Sequence, residues 1–279
     1  MNTTMNFTKT LLATLLATLG ATSAQAAALS LVSGSVSGSL AVQAAVNSQN
    51  VTLTAGVDDR SGAGFLLGTG GHDVSLALTP AGTLSHLWNA SASLDTTLHP
   101  ASVGFQAGSL SVLDVAAGGR FDGSDDSSVV LLEAELAIVS TGEALGSAVR
   151  LNVIGTAESL FASTGPGVQA LPTFDLVVRD AGSGILGSWQ GLAAASSGYF
   201  SFSFDSQVGQ RLFLSLSHYS QLLGDGLDLG TGPGATLDST ALLDGSISVS
   251  AVPEPQTYAL MLAGLAAIGL LHGRSRRAV

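Results

Sequence analysis

Tyr199-Phe200-Ser201-Phe202-Ser203-Phe204 and the nearby Arg211-Leu212-Phe213-Leu214-Ser215-Leu216-Ser217 decide the fold of this 279-residue chain. In both, apolar and polar side chains alternate with a period of two, the signature of a strand with one face buried and one in water. Phe200, Phe202 and Phe204 share one face and are assigned to the core. Working outward, the same alternation recurs from Leu29 to Val32, Ser35 to Val42, Val51 to Thr54, Asp73 to Leu78 and Ser109 to Leu113. It continues from Val129 to Val139, Val149 to Val153, Phe174 to Val178 and Ser246 to Ser250. Between these runs lie Gly68-Thr69-Gly70-Gly71, Gly118-Gly119, Gly165-Pro166-Gly167, Gly182-Ser183-Gly184 and Thr231-Gly232-Pro233-Gly234, which are turn chemistry. Short strands separated by turns predict an all-β fold, an antiparallel β-sandwich of jelly-roll type. Only Ala134 to Leu145 and Ser217 to Leu223 are also compatible with helix. No fixed-period repeat and no linker divides the body, so residues 27–252 are taken as one domain.

That body holds 19 acidic residues against five arginines and no lysine, a net charge of −14, compared with −11 for the whole chain. Such a surface repels nucleic acid and anionic membranes, and both are excluded as its partners. Charged residues are nevertheless only 10% of the chain, well below the usual ~25%, so Ser, Thr, Asn and Gln must supply the polar surface. Cysteine is absent. The core therefore stands without disulfides, and thiolate metal sites and cysteine nucleophiles are excluded.

Catalytic signatures are equally scarce. Neither Gly-x-Ser-x-Gly nor His-Glu-x-x-His occurs. His72, His86, His99 and His218 are scattered and are expected at the surface or at strand ends. Glu133 and Glu135, two residues apart on one strand, share a face. Two carboxylates flanking a sugar bond are what a glycosidase needs, but a solvated strand face explains the pair more simply. In Phe121-Asp122-Gly123-Ser124-Asp125-Asp126, the residues Asp122, Ser124 and Asp126 alternate as oxygen ligands do in a calcium loop. The residues that follow do not complete an EF-hand, and an acidic turn accounts for the stretch as well. Asp225-Gly226-Leu227-Asp228 is a second candidate of the same kind. Trp88 and Trp189 are the stacking platforms available for a carbohydrate, with a core position favoured for both. Ice binding is rejected, because Thr52 and Thr54 are an isolated pair rather than an array. No catalytic residue is assigned, and an enzyme is not expected.

The two ends carry addresses. At the N-terminus, Lys9 precedes the apolar Leu11 to Ala21, and Ala24-Gln25-Ala26 forms a small-x-small site. This is a secretory signal helix, residues 1–26, cut after Ala26. At the other end, Val252-Pro253-Glu254-Pro255-Gln256-Thr257-Tyr258 leads into an apolar stretch and then Arg274, Arg276 and Arg277. The 14 residues from Tyr258 to Leu271 would form a helix of roughly 21 Å, which spans a roughly 30 Å hydrocarbon core only with local thinning. The arginines place the C-terminus in the cytoplasm. Pro253 and Pro255 keep the motif extended ahead of that transmembrane helix.

This order of motif, apolar helix and basic stop resembles the PEP-CTERM sorting signal of Gram-negative bacteria, a tail also named after the C-terminus of certain ice-binding proteins. The resemblance covers Val252 to Arg277, with Pro253, Glu254 and Pro255 at the motif's positions. It implies recognition and cleavage near the Pro-Glu-Pro by exosortase, a membrane-embedded cysteine transpeptidase-like enzyme. The chain would cross the bacterial inner membrane, be anchored transiently by residues 253–279, and pass to the cell surface or medium. The logic is that of a GPI signal, whose hydrophobic tail is removed. Scarce cysteine and abundant small polar residues also resemble exosortase substrates. The expected role is a cell-surface or extracellular-matrix component in contact with exopolysaccharide. The alternative is a carbohydrate-binding module or weak hydrolase on the same scaffold.

Overall fold

The computed structural model describes residues 27–41, 58–62, 64–77, 79–80, 83–99, 101–116, 119–121, 126–164, 168–192, 197–224, 227–228, 234–252 and 262–265. Among them the chain forms β1 (Ala27–Ala41), β2 (Asp58–Gly62), β3 (Phe65–Ala77), β4 (Thr79–Pro80) and β5 (Thr83–His99). Next come β6 (Ser102–Val115), β7 (Gly119–Phe121), β8 (Asp126–Ser140), β9 (Ala148–Ser163) and β10 (Val168–Asp180). The last are β11 (Ile185–Leu192), β12 (Ser197–Gln207), β13 (Arg211–Gly224), β14 (Leu227–Asp228) and β15 (Ala235–Ala251). The one helical piece among the described residues is 262–265. No helix among those residues is long and apolar enough to cross a membrane. The expected signal helix, and the rest of the expected transmembrane helix, lie outside them.

Two antiparallel sheets face each other. One has the order β1-β8-β13-β10-β11 and the other β12-β9-β15-β6-β5-β3-β2, while β14, β7 and β4 pair as a small third sheet. Leu132 and Leu136 of β8, Phe174 of β10 and Leu216 of β13 meet Phe105 of β6, Val153 of β9 and Leu243 of β15 in one buried cluster. From β6 onward the long strands change sheet at every step except β10 to β11, which stay together as a hairpin. That hairpin turns where the sequence places Gly182-Ser183-Gly184. The Asp180 carboxylate accepts the Gly182 and Gly184 amides at 2.8 Å each, and Ser183 takes φ 67°, the left-handed conformation such a turn requires.

The period-two reading holds along nearly every long strand. In β15 each odd residue from Ala235 to Val249 is buried, with the even ones partly or fully exposed. Three local expectations are corrected. Ala134 to Leu145 is strand as far as Ser140 and then turn. Ser217 to Leu223 is strand within β13, where pairing to β8 and β10 on both sides outweighs any helical preference. Gly68-Thr69-Gly70-Gly71 is no turn but the middle of β3, paired with Ala92 to Asn89 of β5. The predicted strand from Val51 to Thr54 lies outside the described residues.

Two glycines make room for the core. Gly155 of β9 and Gly245 of β15 sit opposite each other. The rings of Phe200 and Phe105 occupy the positions their Cβ atoms would take. A methyl group at Gly245 would meet the Phe105 ring at 2.5 Å and the Ile154 carbonyl at 3.0 Å. At Gly104 of β6, by contrast, an added Cβ meets nothing within 4 Å. Gly245→Ala is therefore expected to cost about 1–3 kcal/mol through overpacking. Gly104→Ala is expected to be neutral or stabilising by up to about 1 kcal/mol. Urea unfolding midpoints of the two variants check the contrast.

Candidate functional site

The sorting motif begins where the body ends. β15 runs through the middle of the seven-stranded sheet and stops at Ala251. The Val252 amide still donates to the Ala148 carbonyl at 3.3 Å. Pro253, the next residue, has no amide hydrogen to donate to a ladder. Pro253, Glu254 and Pro255 lie outside the described residues, as do Arg274, Arg276 and Arg277 and the cleavage-site residues Ala24 and Ala26.

On the outer face of the five-stranded sheet, strand register assembles a row of Ser33, Glu135, Phe213, Arg179 and Ile185. Glu135 accepts from Arg211 Nη1 at 2.5 Å and from the Ser33 hydroxyl at 3.1 Å. The hydrogen bond from Arg211, with help from Ser33, holds the Glu135 carboxyl below its ordinary value despite an opposing effect of burial. Glu133 is exposed beside it, as the sequence suggests. A glycosidase pair needs one carboxyl raised so that it can donate a proton. Glu135 moves the other way, and its chemistry is that of a fixed acceptor. Ser33, Ser35, Glu133, Arg179, Phe213 and Ser215 line a groove of about 590 Å³ here. A second groove, of about 430 Å³, crosses the other sheet's outer face between Tyr199, Thr156, Asp244 and Ser246.

The expectation of surface histidines fails for two of the four. His218 of β13 is fully buried and His86 of β5 nearly so, while His99 is exposed. The His72 side chain is not among those described. His218 Nδ1 lies 3.1 Å from the Thr173 carbonyl, which can only accept, so Nδ1 carries the hydrogen. Nε2 then accepts from the Ser109 hydroxyl at 2.7 Å. Since Ser109 belongs to β6, this bond ties the two sheets together. Phe174 stacks on the imidazole at 4.3 Å. A serine, a histidine and an orienting acceptor do form a nucleophile-and-base arrangement, but it is sealed in the core. Burial pushes His218 down to about 4 against the opposing Thr173 bond, and burial alone pushes His86 to about 4. Both ring nitrogens of His86 and Nε1 of Trp88 are buried without a hydrogen-bond partner among the described residues.

Trp88 is fully buried, and Trp189 is partly buried with its ring stacked on Phe200 at 4.5 Å. Trp88 thus takes the core position favoured for it, while Trp189 packs at the edge of the core. Phe200 and Phe204 are core, with Phe202 packed at its edge. Among the described residues the exposed aromatics are Phe65, Phe161, Tyr199, Phe213 and Tyr219, which sequence reasoning missed as surface groups. Parity gives the signal, since Phe213 and Tyr219 share the face of Arg211 and Ser215 and oppose Leu212, Leu214 and Leu216. Of the calcium candidates, Asp122 and Ser124 lie outside the described residues. Asp126 opens β8 opposite Leu222, and its side chain is not described. Asp228 is a strand residue, paired with Arg120. Among the described residues no three His, Asp or Glu side chains cluster as a metal site.

The all-β sandwich is followed directly by the segment that carries the Pro-Glu-Pro. A family model described as the PEP-CTERM protein-sorting motif matches residues 251–277, and this chain carries that sorting signal. The signal implies export and membrane-associated sorting. No curated protein sequence matches the chain. Among solved structures it is similar to TmCBM61 in complex with beta-1,4-galactotriose, at 11% identity over 63% of this chain and 91% of that one, TM-score 0.26. It is also similar to the N-terminal cellulose-binding domain from Cellulomonas fimi beta-1,4-glucanase C, at 14% identity over 58% and 84%, TM-score 0.21. A third is the enzymatically active domain of bacteriophage CBA120 tailspike protein 4, at 8% identity over 68% and 19%, TM-score 0.23. Overlaps this loose say nothing about ligand or activity.

Acid should loosen the body. Both buried histidines are held neutral, so the unfolded chain, with histidine near its ordinary 6.5, binds protons that the folded chain refuses. Their contribution to stability is complete above pH 6.5 and is lost as pH falls from there toward about 4. The urea midpoint should drop across that window, and His86→Leu should flatten the drop. A midpoint independent of pH in that range would contradict it.

Proposed function

We propose that this chain is an exported surface protein, released from its anchor by exosortase at the Pro-Glu-Pro signal. What remains is a jelly-roll body whose serine-rich faces lie against extracellular polysaccharide. The observation that carries this reading is the sorting motif at residues 251–277, which begins on the last residue of β15. Cleavage just beyond Val252 leaves every strand of both sheets intact. The jelly-roll winding is supported by the change of sheet at each step from β6 to β15 except the β10–β11 hairpin. Export through a cleaved signal peptide fits the absence of cysteine and the body's own self-supporting core.

The role we infer for the body is binding rather than catalysis. In support, Glu135 is fixed as an ionised acceptor by Arg211, and the Ser109–His218 pair lies under Phe174 away from solvent. A carbohydrate-binding module is the reading favoured by the groove at Phe213, where an exposed ring stands beside a carboxylate and an arginine.

Intact mass of the protein recovered from its own host, from membrane and medium separately, tests the processing. The native chain should begin at Ala27 and end between Val252 and Glu254. Glu254→Ala should stay in the membrane fraction with its C-terminus still at Val279. A native product that ends at Val279 in an exosortase-competent host would overturn the reading.

A further inference from the structure

We propose that the outer face of the five-stranded sheet is a binding platform for a neutral polysaccharide strand, with Phe213 and Tyr219 of its central strand as the two stacking rings. This rests on the surface reading above for where the protein meets such a polymer; the site itself is argued from geometry. Phe213 stands on the central strand β13 with 40% of its surface exposed. Glu135 of β8 and Arg179 of β10 are directly opposite it on either side, so their Cβ atoms flank the ring at roughly 5 Å. A sugar ring offers an apolar C–H face rimmed by hydroxyls that both donate and accept. An aromatic ring bracketed by an acceptor and a donor is its complement.

The acceptor is held in place before any ligand arrives. Arg211 and Ser33 grip the two oxygens of Glu135, which lowers the ordering cost of binding. Arg179, on the other side, makes no ion pair among the described residues, so its donors face the groove uncommitted. Ser33, Ser35 and Ser215 add hydroxyls along the floor and wall.

The shape selects a strand over a small molecule. Tyr219 lies on the same face of β13 as Phe213, 36% exposed, with Ser215 and Ser217 between them. Six residues of extended chain separate the two rings by roughly 20 Å. One aromatic at each end of a serine-lined strip suits an extended polymer that passes over the sheet. Charge selects its class. The body's net charge of −14 disfavours an acidic polymer, and Arg211 is already neutralised by Glu135. A neutral glycan meets neither obstacle.

Affinity electrophoresis of the protein recovered from its host, in native gels containing dextran, pullulan or hydroxyethyl cellulose, tests the platform, with alginate as the acidic polymer. At least one neutral polymer should retard the protein. Phe213→Ser and Arg179→Gln should each weaken that retardation by about tenfold. Tyr199→Ser, on the opposite sheet, should leave it unchanged. Arg179 is exposed, so its loss cannot be ascribed to unfolding, and far-UV circular dichroism checks Phe213→Ser. No retardation by any of the three neutral polymers would overturn the proposal. So would retardation by alginate alone, retardation of both platform variants equal to that of the unaltered protein, or loss of binding in Tyr199→Ser. Intact mass of the same sample reports on sorting independently, so failure of the platform and failure of the processing remain distinct.

Discussion

Each long strand of this protein buries one face and offers the other to water, and the whole body depends on that division. The chain has no cysteine, and only 10% of its residues are charged. No disulfide holds it together, and the ion pairs among the described residues, Arg150–Asp205 and Arg211–Glu135, lie at the surface. What remains is apolar area closed between two sheets, at roughly 25 cal/mol for each Å² removed from water. Because many inward side chains are Ala, Ser or Gly, the aromatics must fill what the small residues leave. Phe105 and Phe200 do so by lying over Gly245 and Gly155. The Ser109–His218 bond adds one directional tie between the sheets.

The alternation made most of the fold legible. β8, β9, β10, β12, β13 and β15 all contain runs that can be recognised one residue at a time, because side-chain parity is a local property. Strand order is not local. β15 pairs with β6 and β9, and no short stretch of sequence encodes that choice. The glycine run in β3 was misleading for a related reason, since Gly68 to Gly71 favour a turn when isolated and take up strand geometry against β5. Histidine burial was equally hidden. His218 is core because Ser109, far away in the chain, supplies a partner across the sandwich, and sequence separation conceals such a pairing.

The candidate sites divide along the same line. The Pro-Glu-Pro tail was readable because the sorting signal is a run of consecutive residues, 251–277. The groove at Phe213 was not, since it exists only where β1, β8, β13 and β10 lie side by side. Attention to Trp88 and Trp189 followed from ring size, yet large rings are also what a core of small residues needs. Parity along β13 puts Phe213 and Tyr219 on the face opposite its inward leucines, a signal left unread.

The fold and the tail meet at Ala251, and a removable tail requires the body to be complete at that residue. Hydrogen exchange on β15, compared between the chain ending at Val252 and the chain ending at Val279, tests this most directly. Equal protection of the amides from Leu237 to Val249 is expected in the two forms. Fast exchange in β15 and in its neighbours β6 and β9 once the tail is gone would contradict it, and would make residues beyond Val252 part of the fold rather than a removable address.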